Sequence, residues 1–256
     1  MSVRAELTPP ILTLTLDRPR ANAFDQAQLD ALEAAVVEAA AVDGARAMVI
    51  VAVGDRAFSA GADLTGVGPF GEPGGFARWT RQAHATLDRI AAFPVPVIAA
   101  IQRPAAGGGF ELALACHLRV MAKGAHLSLP EIHRGYLPSW AGLERLATLV
   151  GLGLATDLVL SGRRVGADEA LARGLVHRVA DDADAAARDW AEALARLPPL
   201  AVGRALSQLA GIGRGDARAA VRDREVSDLE ALVQTEDTVE GVLAFLEKRE
   251  PVFKGR

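Results

Sequence analysis

The sequence predicts an α/β fold, on three observations. Short apolar runs rich in β-branched residues alternate with amphipathic helical segments, glycine-centred turns follow two of the apolar runs, and strand patterns nearly vanish after residue 139. Residues 11–16 (ILTLTL) read as a strand closed by Asp17-Arg18-Pro19. Asp25 with Gln28 three residues later resembles a capping box for a helix that carries Leu29, Leu32 and Val36 on one face. Residues 47–53 (AMVIVAV) are too short for a lone helix and fit a strand buried on both faces, ended by Gly54-Asp55. Residues 96–101 predict another buried strand, 107–109 a turn, 111–117 a helical run, and 118–122 and 126–129 two short strands. Helical patterns then run over 140–160, 168–173 and 183–196, with 175–179 as a further strand, and 198–248 is helical throughout in pattern. Pro198-Pro199 cannot continue a helix and divides the chain into an α/β body, 1–197, and a helical region, 198–256. Residues 66–75 (GVGPFGEPGG) hold five glycines and two prolines and read as a surface loop.

Composition narrows the function. The chain has 256 residues, 50% apolar and 23% charged, enough for one large core. A net charge of −4, with no Lys/Arg cluster longer than a pair, argues against nucleic acid, which needs concentrated positive charge. The single cysteine, Cys116, permits no intrachain disulfide and suits a reducing, cytoplasmic setting. No apolar h-region opens the chain and no apolar run reaches bilayer length, so neither a signal peptide nor a membrane partner is expected. Five histidines form no HxxxH or HExxH pair, so no metal is expected.

Two glycine-centred turns carry the first chemistry: FSAGADL at 58–64 and AGGGFEL at 106–112. Turns of this kind present free N–H groups, and two of them converging on one oxygen make an oxyanion hole. Either turn alone is ordinarily a tight strand-to-helix connection. Neither matches GxGxxG, GxxxxGK[ST] or GxSxG, which speaks against dinucleotide, P-loop and serine-hydrolase sites. Glu111 precedes Leu, Ala, Leu, Ala and Cys, and Glu131 follows Leu127-Ser128-Leu129-Pro130, so both carboxylates approach apolar surroundings. Taken singly, each reads as a helix-end or loop glutamate in water. Together in a partly dry site they divide acid and base work, because desolvation and mutual repulsion keep a proton on one of them. His133 is a weaker candidate base, two residues from Glu131.

The motifs FSAGADL, PVIAAIQ followed by PAAGGGFELALAC, PEIHRGYLPSWAG and SGRRVGADEALARGLVHRV occur in an order and spacing that resemble the enoyl-CoA hydratase/isomerase (crotonase) family. The early Arg18-Pro19 to Asn22-Ala23 and the closing 248–254 segment are similar to the family's terminal signatures, so the resemblance spans nearly the whole chain. It implies a crotonase-like spiral of ββα units, a helical carboxy-terminal trimerisation region giving homotrimers or hexamers, and an acyl-CoA substrate with no separate cofactor. It further implies an oxyanion hole from the Ala62 and Gly108 N–H groups, with Glu111 activating water and Glu131 exchanging the proton at C2. Ala21, Ala23, Ala60 and Leu64 then lie along the CoA path with Asp63 and Gly107 beside them, and Phe253 and Lys254 touch a neighbour's CoA. Relatives hydrate, isomerise, dehalogenate, decarboxylate or hydrolyse on one scaffold, so reaction has to be argued from the site. Hydration of a 2-enoyl-CoA is the expectation, with a Δ3,Δ2-enoyl-CoA isomerase and a non-catalytic acyl-CoA-binding or scaffold subunit as alternatives. One departure stands out: where hydratases commonly carry a Pro-Gly-Ala-Gly-Gly-like stretch, this chain has Pro138-Ser139-Trp140-Ala141-Gly142, so that Ser139 and Trp140 are candidate substrate-binding residues, with Trp140 either filling the acyl pocket or starting a helix and packing against the body.

Overall fold

The computed structural model describes residues 2–65, 73–213 and 215–256. In chain order the elements are β1 (Val3–Thr8), β2 (Ile11–Leu16), α1 (Gln26–Ala40), β3 (Ala47–Ala52), α2 (Gly75–Ala91), β4 (Val97–Ile101), β5 (Ala105–Ala106), α3 (Gly108–Ala115), β6 (Leu118–Ala122) and β7 (His126–Ser128). There follow α4 (Gly142–Ser161), β8 (Val165–Gly166), α5 (Ala167–Ala172), β9 (Arg178–Ala180), α6 (Ala183–Ala195), α7 (Pro199–Gly213), α8 (Arg218–Leu232) and α9 (Glu236–Glu247).

The main sheet has the order β1-β2-β3-β4-β6-β9: β1 and β2 are antiparallel, and every later pairing is parallel. A second sheet has the order β5-β7-β8, with β5 and β7 parallel and β7 and β8 antiparallel. In β4 all of Val97, Ile98, Ala99, Ala100 and Ile101 are fully buried, which is why this strand reads as an unbroken apolar run rather than an alternation. Helix α6 lies on β3, β4 and β6 through Ala183, Ala187, Ala191 and Ala195, small side chains that let helix and sheet approach closely. Asp25 caps α1 as expected, its carboxylate accepting from the Gln28 N–H at 2.8 Å.

Several boundaries differ from the sequence expectation. Gly108 and Gly109 belong to the first turn of α3, so that helix starts three residues earlier than its apolar run and leaves only Gly107 in the turn. The strand expected over 175–179 sits at 178–180, because Leu175 and Val176 are used as core residues in the preceding connection. Gly75 opens α2 rather than closing a loop. Residues 73 and 74 of that expected loop form the turn before α2, and 66–72 lie outside the described residues. Strand β1 and helix α2 carry little pattern in the sequence: charges dilute the alternation of VRAELT, and α2 opens on the second residue of the Gly74-Gly75 pair, with Gly74 in a left-handed conformation at φ 72°. The helical region resolves into three helices, broken around 216–217 and 233–235.

Candidate active site

Three loops at the carboxyl ends of the parallel strands are tied together by backbone hydrogen bonds. The Ala106 N–H donates to Ser59 O at 2.9 Å, the Gly107 N–H to Ser128 O at 3.0 Å, the Phe24 N–H to Gly61 O at 2.8 Å, and the Ala60 N–H to Ala21 O at 3.0 Å. Gly61 (φ 83°) is where the two glycine turns meet, since a Cβ there would lie 2.9 Å from Gly108 N and 2.8 Å from Ala106 O. Only glycine fits that approach. Ala62 and Gly108 thereby border one cleft. Arg18 fixes the outer side, donating to Asp25 Oδ2 at 2.7 Å, Asp63 Oδ2 at 2.8 Å and the Ala23 carbonyl at 2.9 Å. Asp63 is held down to about 2 by the hydroxyl of Thr65, then by Arg18.

Glu111 stands in the first turn of α3 and is 2% exposed. Its Oε1 accepts two backbone N–H bonds, from Trp140 at 2.7 Å and Gly142 at 2.9 Å. Burial and then the neighbouring charge of Glu131 push its carboxyl up to about 7, against the pull of those two donors. Glu131 begins a short 3-10 turn over Glu131–Arg134 and is 5% exposed. Burial raises its carboxyl as well, and its Oε2 is buried with no hydrogen-bond partner among the described residues. A Cβ on Gly107 (φ 53°) would sit 2.6 Å from Glu131 Oε1, so the carboxylate lies directly over the glycine turn. Two carboxylates share one nearly dry cleft. Their mutual repulsion means that the pair titrates as a unit and keeps a proton to higher pH than either would alone.

The cleft has room for about one water molecule, some 10 Å³, and is lined by Ala62, Gly108, Glu111, Glu131, Ser139 and Trp140. All six are residues singled out in the sequence. Phe76, Trp79 and Tyr136 also line it and were missed. The only signal for Tyr136 was its place five residues beyond Glu131, and Trp79 reads as an ordinary core position of α2. Trp140 both lines the cleft and packs in the core at 1% exposure. Ser139 lies at the cleft with its carbonyl accepting from His84 at 2.6 Å. Ala21 borders a separate cavity of about 360 Å³ with Arg18, Arg20 and Arg56. Ala60 and Leu64 are exposed on the rim of the first turn. Phe253 and Lys254 are held elsewhere, Lys254 N–H on Asp237 at 2.6 Å and Phe253 O by Arg46 at 3.2 Å. His133 is exposed and within 2.7 Å of Ser161 O at the end of α4, away from the cleft. Among the described residues no group of three or more His, Cys, Asp or Glu is placed to hold a metal ion, and no helix is long and apolar enough to cross a membrane.

The enoyl-CoA hydratase/isomerase family profile matches residues 6–256. The chain belongs to that family. Carnitinyl-CoA dehydratase of Escherichia coli K12 is 38% identical over 259 residues, covering 96% of this chain and 95% of the relative. An enoyl-CoA hydratase from Bacillus anthracis superposes with a TM-score of 0.92 at 33% identity over the whole of both chains. DspI of Pseudomonas aeruginosa gives 0.92 at 33% identity, covering 99% of this chain and 97% of its own. The fold is therefore the crotonase fold, and the chain is a crotonase-family enzyme whose substrate class is acyl-CoA.

Proposed function

We propose that this enzyme catalyses the reversible addition of water across the C2=C3 bond of a 2-enoyl-CoA thioester. The observation that carries the reading is the pair of buried carboxylates, Glu111 and Glu131, facing one water-sized cleft beside two converging glycine turns. In this reading the thioester oxygen lies between the Ala62 and Gly108 N–H groups. Glu111 is held by two backbone donors that favour its charged form, and takes a proton from the water as its oxygen bonds to C3. The C2=C3 electron pair moves toward the thioester oxygen, and C2 then takes the one proton that the coupled carboxylate pair retains, which sits on Glu131 in the reacting form. Return of a proton from Glu111 to Glu131 resets the pair. Each oxyanion donor supplies roughly 3 kcal/mol of barrier reduction in comparable sites, so the backbone turns rank with the carboxylates. The chemistry calls on no cofactor beyond the substrate's own CoA. The relatives called carnitinyl-CoA dehydratases support the same reaction run toward loss of water.

The test is the ultraviolet absorbance of the conjugated thioester, which falls on hydration of a 2-enoyl-CoA and rises if a 3-enoyl-CoA is isomerised. Glu111→Gln and Glu131→Gln should each lower turnover by about 10²–10⁴-fold with acyl-CoA affinity nearly unchanged. Full activity in either variant sinks the two-carboxylate mechanism. Loss in Glu131→Gln alone supports isomerisation instead, and CoA binding without any turnover supports the non-catalytic subunit.

A further inference from the structure

Both backbone donors that seat Glu111 come from one short loop, and the carbonyls of that loop are themselves held. The Trp140 N–H, 2.7 Å from Glu111 Oε1, belongs to the same peptide group as the Ser139 carbonyl, which lies 2.6 Å from His84 Nε2. A carbonyl oxygen only accepts, so Nε2 carries the proton and His84 donates. The Gly142 N–H, 2.9 Å from the same Glu111 oxygen, shares its peptide with the Ala141 carbonyl, which accepts from the Arg145 N–H at 3.1 Å. Between them, the Trp140 carbonyl accepts from the Arg145 guanidinium at 2.9 Å, and that guanidinium also reaches Asp88 Oδ1 at 2.5 Å. His84 and Asp88 stand one turn apart on α2, so the same face of that helix grips the loop directly and through Arg145.

The first of these contacts has a chemical consequence. His84 does not line the cleft, so it reaches the reaction only through the peptide. A peptide group is planar and rigid, and holding its oxygen therefore aims its N–H. A donor on the oxygen also polarises the group, and hydrogen bonds joined in such a chain strengthen one another. The chain runs from His84 Nε2–H through Ser139 C=O and Trp140 N–H to Glu111 Oε1, and every link favours a charged carboxylate at its end. Of the other charges that act on Glu111, Glu131 opposes its ionisation and Arg145 favours it. Burial, then the two carboxylates, hold the Tyr136 phenol above its ordinary value, so it stays neutral.

We propose that His84 is a positioning residue for the reaction, holding the Ser139–Trp140 peptide so that its N–H keeps Glu111 aimed and charged to take a proton from water. This rests on the reading of Glu111 as the base. The experiment follows hydration of crotonyl-CoA and oct-2-enoyl-CoA against pH in the wild type, His84→Leu, His84→Gln and Glu111→Gln. Without the imidazole donor the charged form of Glu111 is less favoured. In His84→Leu the rising limb of the kcat/KM profile, which marks loss of the first proton from the carboxylate pair, should therefore move to higher pH by about half a unit. The falling limb, loss of the second proton, should stay in place, because Glu111 is charged on both sides of it. At the optimum kcat should fall by about ten-fold with KM nearly unchanged. His84→Gln keeps an N–H donor near the place of Nε2 without a titrating ring, and should restore both the limb and the rate. A merely structural role would not move one limb alone. If His84→Leu does not fold, His84→Asn, polar but too short to reach the carbonyl, is read in the same way. A profile that superposes on the wild type, limbs that move together, a loss confined to KM, or a Gln variant no better than Leu overturns the proposal while an inert Glu111→Gln leaves the base intact. A rising limb that vanishes in His84→Gln makes His84 itself the titrating group and overturns it too. Full activity in Glu111→Gln, or a wild type that hydrates neither substrate, overturns the reading and this proposal together.

Discussion

Glu111 illustrates how one side chain trades stability for chemistry. Its carboxyl stands near 7 in the folded chain against an ordinary value of 4.5, so between those pH values the folded state binds a proton that the unfolded state has lost. The sign follows: this group favours folding most below about 4.5, its contribution declines as pH rises through the window, and above about 7 it is a constant cost. Glu111→Gln keeps an amide oxygen for the Trp140 and Gly142 donors and removes the charge. Thermal unfolding should therefore show the variant more stable than the wild type at pH 8, with the gap shrinking toward pH 5. At about 1.4 kcal/mol per pKa unit the ceiling is on the order of 3 kcal/mol, and the coupling to Glu131 takes part of it. An unchanged melting temperature at pH 8 would count against a buried, strained carboxylate pair. At this scale the sequence was most informative where chemistry is local: apolar neighbours announced the burial of both glutamates. It was silent on Phe76 and Trp79, because a helix's apolar stripe does not say which of its residues meets a cleft built by other segments.

At the scale of elements, the site depends on where helices begin. Helix α4 starts immediately after Ala141, which is held in the left-handed region at φ 62°, and its first residue, Gly142, donates to Glu111. A Cβ at Gly142 would lie 2.6 Å from Glu111 Oε1 and Cγ, so no side chain fits without moving the carboxylate. Gly142→Ala should lower kcat by about 10²-fold, the cost typical of an ångström's misplacement of a catalytic group. Gly153, in the same helix, is an internal control, since a Cβ there meets nothing within 4 Å. Gly153→Ala should keep activity and raise stability by up to about 1 kcal/mol through helix propensity. Steady-state kinetics and thermal unfolding of the two variants separate a seat for Glu111 from a generic glycine effect; equal behaviour would remove Gly142 from the site. The apolar runs revealed the buried strands because parallel pairing leaves them no polar face. The start of α3 was not legible, because Gly108 and Gly109 carry no helical signal of their own, and it is the close approach of Ser59 that demands glycine at 109.

At the scale of the molecule, the helical region after Pro199 has too little to lean on. Helix α8 has no buried residue at all, and α7 buries only Gly211. Leu209, Ile212, Val226, Leu229, Phe245 and Leu246 are between 58% and 81% exposed across α7, α8 and α9. Helices of this length gain most of their stability from packing an apolar face, so a set of helices that leaves its apolar residues in water is incomplete as it stands. The Asp237 and Glu240 carboxylates clamp the final residues onto α9, through the Lys254, Gly255 and Val252 N–H groups, which gives the tail one fixed shape rather than a loose end. We propose that copies of this chain cover these faces in one another, as a trimer or a pair of trimers, with the clamped Phe253 and Lys254 offered to a neighbour's CoA. Sedimentation velocity should give a trimer or hexamer, and charges placed on the bare face, as in Leu229→Asp with Phe245→Asp, should shift it toward monomer. Lys254→Ala should leave the assembly intact and raise KM for acyl-CoA. A stable monomer with full activity would defeat the assembly and, with it, any role of Lys254 at a neighbouring site.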